Sequence, residues 1–461
     1  MMKIYNTLTI KKESFKPLNK KKVRLFVCGI TPYGYAHIGH AKTYVQFDII
    51  ARYLKYKGYN IFYLQNVTDI DDKIIKRAKE QKKDPLSLAH EYEKYYHEDM
   101  QRLKVSSVDK YARATDYIKE IVSQVQRLIK LGYAYKIEDG YYFDLSKFPD
   151  YGNLSGRNSL EAEDSVSRID ESKEKKNKGD FCLWKFYKKG EPFWEIIIEK
   201  GRPGWHIEDT AITEKEFGPQ YDIHGGARDL IFPHHEAEIA QMESLSKRKP
   251  FVKYWLHTGF LNVKSQKMSK SLGNFITIRE ILKKYPPETL RMLYGSTHYR
   301  SPIDFDEKSL EQAKANVENI KNFLLHAKNA ITEKKENPKI KKLIEKLKKE
   351  FTQYMDDDFN APKVFAALFI FINECNKLLE KGISKQDYES IEAIIEEINA
   401  VFDVIHKEEK IPKEIIQLAE EREKARKQKD WKTADKLREK MKEKGYLLED
   451  TDTGYLIKRN Q

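Results

Sequence analysis

Two histidines three residues apart, His37 and His40, bracket Ile38 and Gly39 where a loop gives way to helical periodicity. Imidazoles at that spacing share a helix face and can donate hydrogen bonds to phosphate oxygens. The start of a helix adds free N–H groups and the positive end of a dipole, both favourable to phosphate. Gly39 leaves room for a flat group such as adenine to approach the backbone. On four residues alone, the plainer alternative of two histidines falling by chance on one amphipathic helix stands equally well. Far downstream lies Lys267-Met268-Ser269-Lys270-Ser271, but 85 of the 461 residues are Lys or Arg, so neighbouring lysines by themselves mean little.

The elements that must position these groups can be read around them. Leu25-Phe26-Val27 has the composition of a buried strand. Gly29, Pro32 and Gly34 make a loop. From Ala36 a helical pattern begins, with Val45, Ile49, Tyr53 and Leu54 at helical spacing, and Ile61 to Leu64 reads as a second strand after Gly58. Strand, glycine-bearing loop, helix and strand form a βαβ unit whose loop lies where such sheets bind nucleotides. The acidic segment after Asn66 is not a calcium loop, because the sixth position counted from Asp69 is Ile74, where glycine is required. It reads instead as crevice lining, with the Thr68 hydroxyl and an Asp that caps the next helix. Further on, a helix after Pro233 places His234 and Glu238 on one face at i, i+4. His235 does not open a zinc-protease HExxH, since the residue four after it is Ile239. Cys182, within Phe181-Cys182-Leu183-Trp184, reads as a buried structural thiol.

Composition sets outer bounds. The chain has room for several domains, and its net charge of +13 fits a polyanionic partner. Three scattered cysteines, Cys28, Cys182 and Cys375, are too few for a disulfide framework and point to a reducing compartment. The N-terminus lacks the apolar core of a signal peptide. The longest apolar run, Val364 to Ile372, is too short to cross a bilayer. A cytoplasmic protein with no membrane contact is expected. From Pro412 the chain becomes a Lys- and Arg-rich helical pair, which fits either a solvated bundle face or RNA contact with Trp431 as a stacking platform.

His37-Ile38-Gly39-His40 after a strand, with Lys267 to Ser271 later in the same chain, resembles the paired signatures of class I aminoacyl-tRNA synthetases. Within that class the resemblance narrows to the cysteinyl-tRNA synthetases and covers nearly the whole chain. It is carried by CGITPYGYAHIGHAKTYVQFD, NVTDIDDKI, FPDYGNLSGR, GRPGWHIED, DIHGGARDLIFPHHEAEIAQ, KMSKSLGNF, HYRSPIDF, MDDDFNAP and KDWKTADKLREKM with LLED. The resemblance implies an α/β fold: a Rossmann-like parallel-sheet catalytic domain split by a connective insertion, then an α-helical domain and a small C-terminal anticodon-binding domain. The expected boundaries are 1–113 and 200–262 for the catalytic halves, 114–199 for the insertion, 263–305 for the second signature and stem-contact region, 306–408 for the helical domain and 409–461 for the anticodon domain.

The same resemblance implies two steps: cysteine and ATP, with Mg2+, give cysteinyl-adenylate and pyrophosphate, and the cysteinyl group then passes to the 3′ end of tRNA(Cys). It makes His37, His40, Lys267 and Lys270 catalytic, and Gly39, Lys270 and Ser271 the ATP contacts. Gly29, Thr68, Trp205 and Asp229 become lining for the cysteine, although Trp205 may equally be read as a core aromatic and Asp229 as a helix cap. Arg426, Asp435 and Asp450, with Trp431, become the tRNA contacts. Zinc is expected on Cys28, Asp209, His234 and Glu238. The family normally has cysteine where this chain has Asp209, and His206 and His224 are alternatives to complete the site. A monomer is expected. Three rivals fit less well. A cysteine ligase acting on an amino sugar lacks an anticodon domain, against the tail from Pro412, a nucleotidyltransferase lacks the zinc positions, and a non-catalytic RNA-binding protein needs no ATP motifs.

Overall fold

The apolar run around Leu25 is the centre of a five-stranded parallel sheet. Its strands are β1 (Lys22–Ile30), β2 (Asn60–Val67), β3 (Lys110–Arg113), β4 (Tyr221–Ala227) and β5 (Val252–Thr258), in the spatial order β5-β4-β1-β2-β3. This is a computed structural model, and it describes residues 1–157, 172, 174–263, 266–267, 275–405, 412–428, 430–451 and 454–459. β1 alternates exposed and buried positions up to Leu25, then stays buried through Cys28, as a central strand covered on both faces must. The order of connection reverses between β1 and β4, which opens a crevice at their C-terminal ends.

Helix α1 (Ile38–Tyr56) follows β1 and carries the histidine pair at its start. Fourteen of its nineteen residues are buried, so it is wrapped on nearly all sides and presents no single apolar stripe. Asp48 on this helix is fully buried. It accepts from Arg52 at 2.8 Å, from the Ser106 and Ser107 N–H groups at 3.1 and 3.0 Å, and from Arg291 at 2.8 Å. Arg291, equally buried, also donates to the carbonyls of Leu103, Lys104 and Phe402.

The chain between β3 and β4 builds a four-stranded antiparallel sheet from Ala134–Ile137, Gly140–Phe143, Phe181–Phe186 and Gly201–Pro203, the last lying just past residue 199. Cys182 is buried within it. Four long helices, Glu307–Asn329, Pro338–Asp356, Ala361–Leu379 and Lys385–Phe402, complete this unit. Asp358 ties the turn before the third of them to the rest. It accepts from the Tyr5 N–H at 2.8 Å, the Tyr299 hydroxyl at 2.9 Å and Arg300 Nε at 2.8 Å. It does so from a left-handed backbone (φ 63°), which a short Asp tolerates.

The described residues divide into two compact units, 1–405 and 406–461. In the second, helices Lys413–Lys427 and Trp431–Glu443 enclose a small core of Ile415, Ala419 and Met441 with Leu448. A hairpin, Tyr446–Thr451 with Gly454–Arg459, follows. The sequence reading expected only the helical pair. No helix among the described residues is long and apolar enough to cross a membrane.

Burial pushes the Asp48 carboxyl up, but Arg291 and Arg52 outweigh it and hold the carboxyl below its ordinary value. The stability that this ion pair contributes is therefore complete above the unfolded carboxylate value near ~4 and is lost as pH falls through the lower folded value. Asp48→Asn leaves Arg291 buried without its counter-charge, and urea unfolding at neutral pH should show a loss of about 3–5 kcal/mol. The variant should also lose less stability than the parent on going from pH 5 to pH 3.

Candidate active site

His37 is the N-cap of α1, and its Nδ1 accepts from the N–H groups of Gly39 and His40 at 3.1 and 3.4 Å. His40 returns the bond, its Nδ1 accepting from the His37 N–H at 3.3 Å, and the rings stack at 3.7 Å. An Nδ1 that accepts carries no proton, so in each neutral ring the proton sits on Nε2. Burial, followed by His37 and Lys73, pushes the His40 pKa well below its ordinary value, so this ring stays neutral at physiological pH. The sequence reading expected free backbone N–H groups here. They are occupied: the Ile38 N–H also donates, to the Ile276 carbonyl at 3.1 Å. The first-turn amides are thus committed to the cap and to the Ile276 carbonyl.

The segment after the second signature lies against the first. The Ile278 N–H donates to the Ala36 carbonyl at 2.9 Å, and Phe275 packs edge-on against His37 with centroids 5.3 Å apart. Gln266–Lys267 forms a short strand against Leu261–Val263. Lys270 and Ser271 lie outside the described residues, as does the side chain of Lys267.

Behind the histidine pair, β1 carries an irregularity. Val27 faces Gln65 and Ile30 faces Val67, so Cys28 and Gly29 together oppose Asn66. Such a two-against-one step re-aims a side chain. A Cβ on Gly29 would lie 1.7 Å from the Asn66 carbonyl oxygen, so only glycine fits this approach. The Cys28 thiol points into a pocket closed by α2 (Ile207–Phe217), β4 and α3 (Glu236–Ser246). Cys28 Sγ is 3.4 Å from Asp209 Oδ2, and His234 Nε2 is 2.9 Å from that oxygen and 3.2 Å from Glu238 Oε1. His234 precedes α3, in the segment Ile231–His235 that is kinked at the extended Phe232, and still meets Glu238 across four residues.

One ligand atom from each of Cys28, Asp209, His234 and Glu238 lies within 4.8 Å of the other three, all buried. Cys28 and Glu238 also form a quartet with His224 and His235. Around them, His235 Nδ1 is 2.8 Å from His257 Nε2, His206 Nδ1 is 2.9 Å from His234 Nδ1, and Tyr221 meets His224 Nδ1 at 2.7 Å. Burial holds His206, His224 and His235 well below the ordinary imidazole value and His257 at about 3, so all four are neutral. Burial, then Asp209, pushes the Cys28 thiol and the Glu238 carboxyl up. Both Glu238 oxygens are buried without a hydrogen bond. A sealed pocket of S, N and O donors with an unsatisfied carboxylate is arranged for a cation.

Comparison with known proteins agrees with this geometry. Residues 14–315 match the model of the tRNA synthetases class I (C) catalytic domain, 350–405 the DALR domain, and 408–455 the cysteinyl-tRNA ligase anticodon binding domain. The cysteine–tRNA ligase of Thermococcus onnurineus is 44% identical over 99% of this chain and 99% of its own. That of Thermodesulfovibrio yellowstonii is 43% identical over 97% of this chain and 98% of its own. The chain belongs to the cysteinyl-tRNA synthetase family. Its class I fold is shared with Mycobacterium tuberculosis methionyl-tRNA synthetase in complex with methionyl-adenylate. The TM-score there is 0.61 at 14% identity, over 83% of this chain and 90% of that one.

Of the residues expected to line the cysteine, Thr68 is buried beside Asn66, whose amide lies 3.4 Å from its hydroxyl. Trp205 stacks on His234 at 4.4 Å, and Lys73 lies over its outer ring face. Asp229 sits on the exposed turn Arg228–Leu230 directly after β4, and no described contact joins it to the pocket. In the smaller unit, Trp431 is 58% exposed at the first position of its helix and Asp435 is exposed one turn later. Arg426 lies near the end of the preceding helix, and Asp450 lies in the hairpin with its side chain outside the described residues. The sequence reading gave no role to His257 or Asn66. Its available signal was a pair of polar residues inside strands of otherwise apolar pattern.

Asparagine caps a helix as well as any side chain. His37→Asn should therefore keep stability within about 1 kcal/mol while removing the outward Nε2–H. Cysteine-dependent ATP–pyrophosphate exchange should fall about 10²–10³-fold, and thermal melting beside the exchange assay separates the two effects.

Proposed function

We propose that this chain charges tRNA(Cys) with cysteine in the crevice beyond β1 and β4, with zinc held by Cys28, Asp209, His234 and Glu238. The buried quartet carries this reading. It offers one sulfur, one nitrogen and two oxygen ligands, all of types that zinc accepts. A lone pair on His234 Nε2 requires the proton on Nδ1, where neutral His206 is placed to accept it. When bound, zinc supplies a thiophilic Lewis acid that takes the substrate sulfur as thiolate and discriminates against serine. A pocket that judged shape alone would separate these near-isosteres only about 10²-fold.

The chain's own residues do the rest. His37 and His40 offer two neutral Nε2–H donors to the phosphate oxygens of ATP, which enters with Mg2+, and stabilise the charge that spreads there as the cysteine carboxylate attacks. Gly39 gives adenine its close approach, Lys267 and Lys270 neutralise the departing pyrophosphate, and Ser271 joins Lys270 on the nucleotide. Thr68 and Gly29 line the cysteine's carboxylate side, Trp205 covers it, and Asp229 receives the α-ammonium group. Residues 1–113 and 200–262 form the catalytic halves around the insertion at 114–199. Residues 263–305 carry the second signature, 306–408 the helical domain, and 409–461 grip the anticodon through Arg426, Trp431, Asp435 and Asp450. The protein acts as a cytoplasmic monomer, where its three buried thiols stay reduced.

Two experiments test this. Asp209→Cys should retain or tighten bound zinc, and Asp209→Ala should weaken it and lower the cysteine-over-serine ratio in exchange. Zinc content unchanged in both would move the ion to the quartet with His224 and His235. Removing residues 406–461 should spare cysteinyl-adenylate formation and raise the KM for tRNA. The binding of tRNA to the intact protein should weaken steeply with salt.

A further inference from the structure

Asp209 differs from the family's cysteine in one respect that matters inside a sealed pocket. A thiolate has one ligand atom and no second polar atom to satisfy, whereas a carboxylate has two oxygens. If one turns to a metal, the other is left buried, at a cost of about 1–3 kcal/mol unless a donor meets it. In this structure a donor does. Asp209 Oδ2 faces Cys28 and His234, and Oδ1 accepts from Asn66 Nδ2 at 2.5 Å.

The orientation of the Asn66 amide follows from its other neighbour. The Gly29 N–H lies 2.5 Å from Asn66 Oδ1. A backbone N–H can only donate, so the atom facing it is the carbonyl oxygen, and the NH2 group must turn to Asp209. That N–H is available because Cys28 and Gly29 together oppose Asn66, which takes Gly29 out of the regular ladder. One buried side chain thus closes the irregularity that aims Cys28 and holds the far oxygen of Asp209. We infer that Asn66 is the positioning residue that makes Asp209 a one-oxygen metal ligand. It fixes Oδ1 so that only Oδ2 is presented to the ion. This rests on the reading of Asp209 as a zinc ligand.

The test uses the full-length protein and measures zinc affinity by competition with a chromophoric chelator, with melting temperature as the control for folding. The variants are Asn66→Ala and Asn66→Asp, Asp209→Ala and Asp209→Cys, and the double variant Asn66→Ala with Asp209→Cys. Asn66→Ala should weaken zinc binding about 10–100-fold, as loss of an outer-shell partner does. Asn66→Asp keeps an acceptor for the Gly29 N–H but replaces the donor to Asp209 with a second acid oxygen that repels it, so it should weaken binding at least as much. With cysteine at 209, Asn66→Ala should change affinity less than about 3-fold, since a thiolate has no second oxygen to orient. Equal losses in both backgrounds would overturn the inference, because Asn66 would then act through the backbone at Gly29 alone. Full affinity in Asn66→Asp would also overturn it. A protein whose zinc affinity is indifferent to Asp209→Ala would overturn the ligand reading and the inference together. Weakened binding in Asp209→Ala with none in Asn66→Ala would overturn only the inference.

Discussion

A carboxylate and a guanidinium with no exposed surface, Asp48 and Arg291, meet at 2.8 Å where three parts of the larger unit converge. Asp48 belongs to the helix that presents the histidine pair, and Arg291 to the helix Pro287–Gly295 that follows the second signature. The carbonyl that Arg291 takes from Phe402 ends the last helix of the bundle. A buried ion pair is weak support for stability by itself, since desolvation consumes much of the attraction. Its use here is geometric. Arg291 donates three further hydrogen bonds to backbone carbonyls, and Asp48 also accepts from two backbone N–H groups and Arg52, so the pair fixes how the three elements meet. The histidines and the strand before the second signature inherit that placement. Lys42 on the same helix adds to it, donating to the carbonyls of Gly259 and Tyr299.

Within this frame the chemistry is divided between two depths. At the mouth, two stacked imidazoles use one nitrogen each to close a helix. Behind them, neutral histidines and a buried thiol surround Asp209 and Glu238, and burial pushes the Glu238 carboxyl up. The second region could hold a metal ion. The irregular pairing of β1 with Asn66 involves both Cys28 and Gly29, so a single local departure from sheet geometry sets the direction of the thiol and the close backbone approach beside it.

Much of this could be read from the residues. Leu25 to Val27 announced a buried strand, and α1 and β2 followed where the periodicity placed them, because a helix spacing and an apolar run are local signals. His234 and Glu238 could be paired from helical spacing, but joining Cys28 and Asp209 to them was legible only through resemblance, since about 180 residues separate the first two. The committed state of the first-turn amides was not legible at all. It depends on the χ angles of His37 and His40, and a sequence pattern carries no information on which ring nitrogen faces inward. Asn66 was hidden for a related reason. Its bonds to Gly29 and Asp209 come from a strand irregularity and from a helix more than 140 residues away, and neither leaves a periodic trace. The hairpin at the end of the smaller unit was missed because its two short strands are rich in charge.

The strand order has a consequence during synthesis. β1 is the oldest strand of the sheet and lies at its centre, with β2 on one side and β4 on the other. Its partner β2 leaves the ribosome within seconds. Between Ile30 and Tyr221 lie about 190 residues, which take roughly 10–40 s to add at ~5–20 residues per second. For that interval the edge formed by Leu25, Phe26 and Val27, which later pairs with Ile223, His224 and Gly225, has no neighbour. An apolar edge with open hydrogen-bonding groups is a template for any other strand. The nascent chain is thus most exposed to mispairing well before its last domains exist. Translation speed through residues 31–220 governs how long that edge stands open.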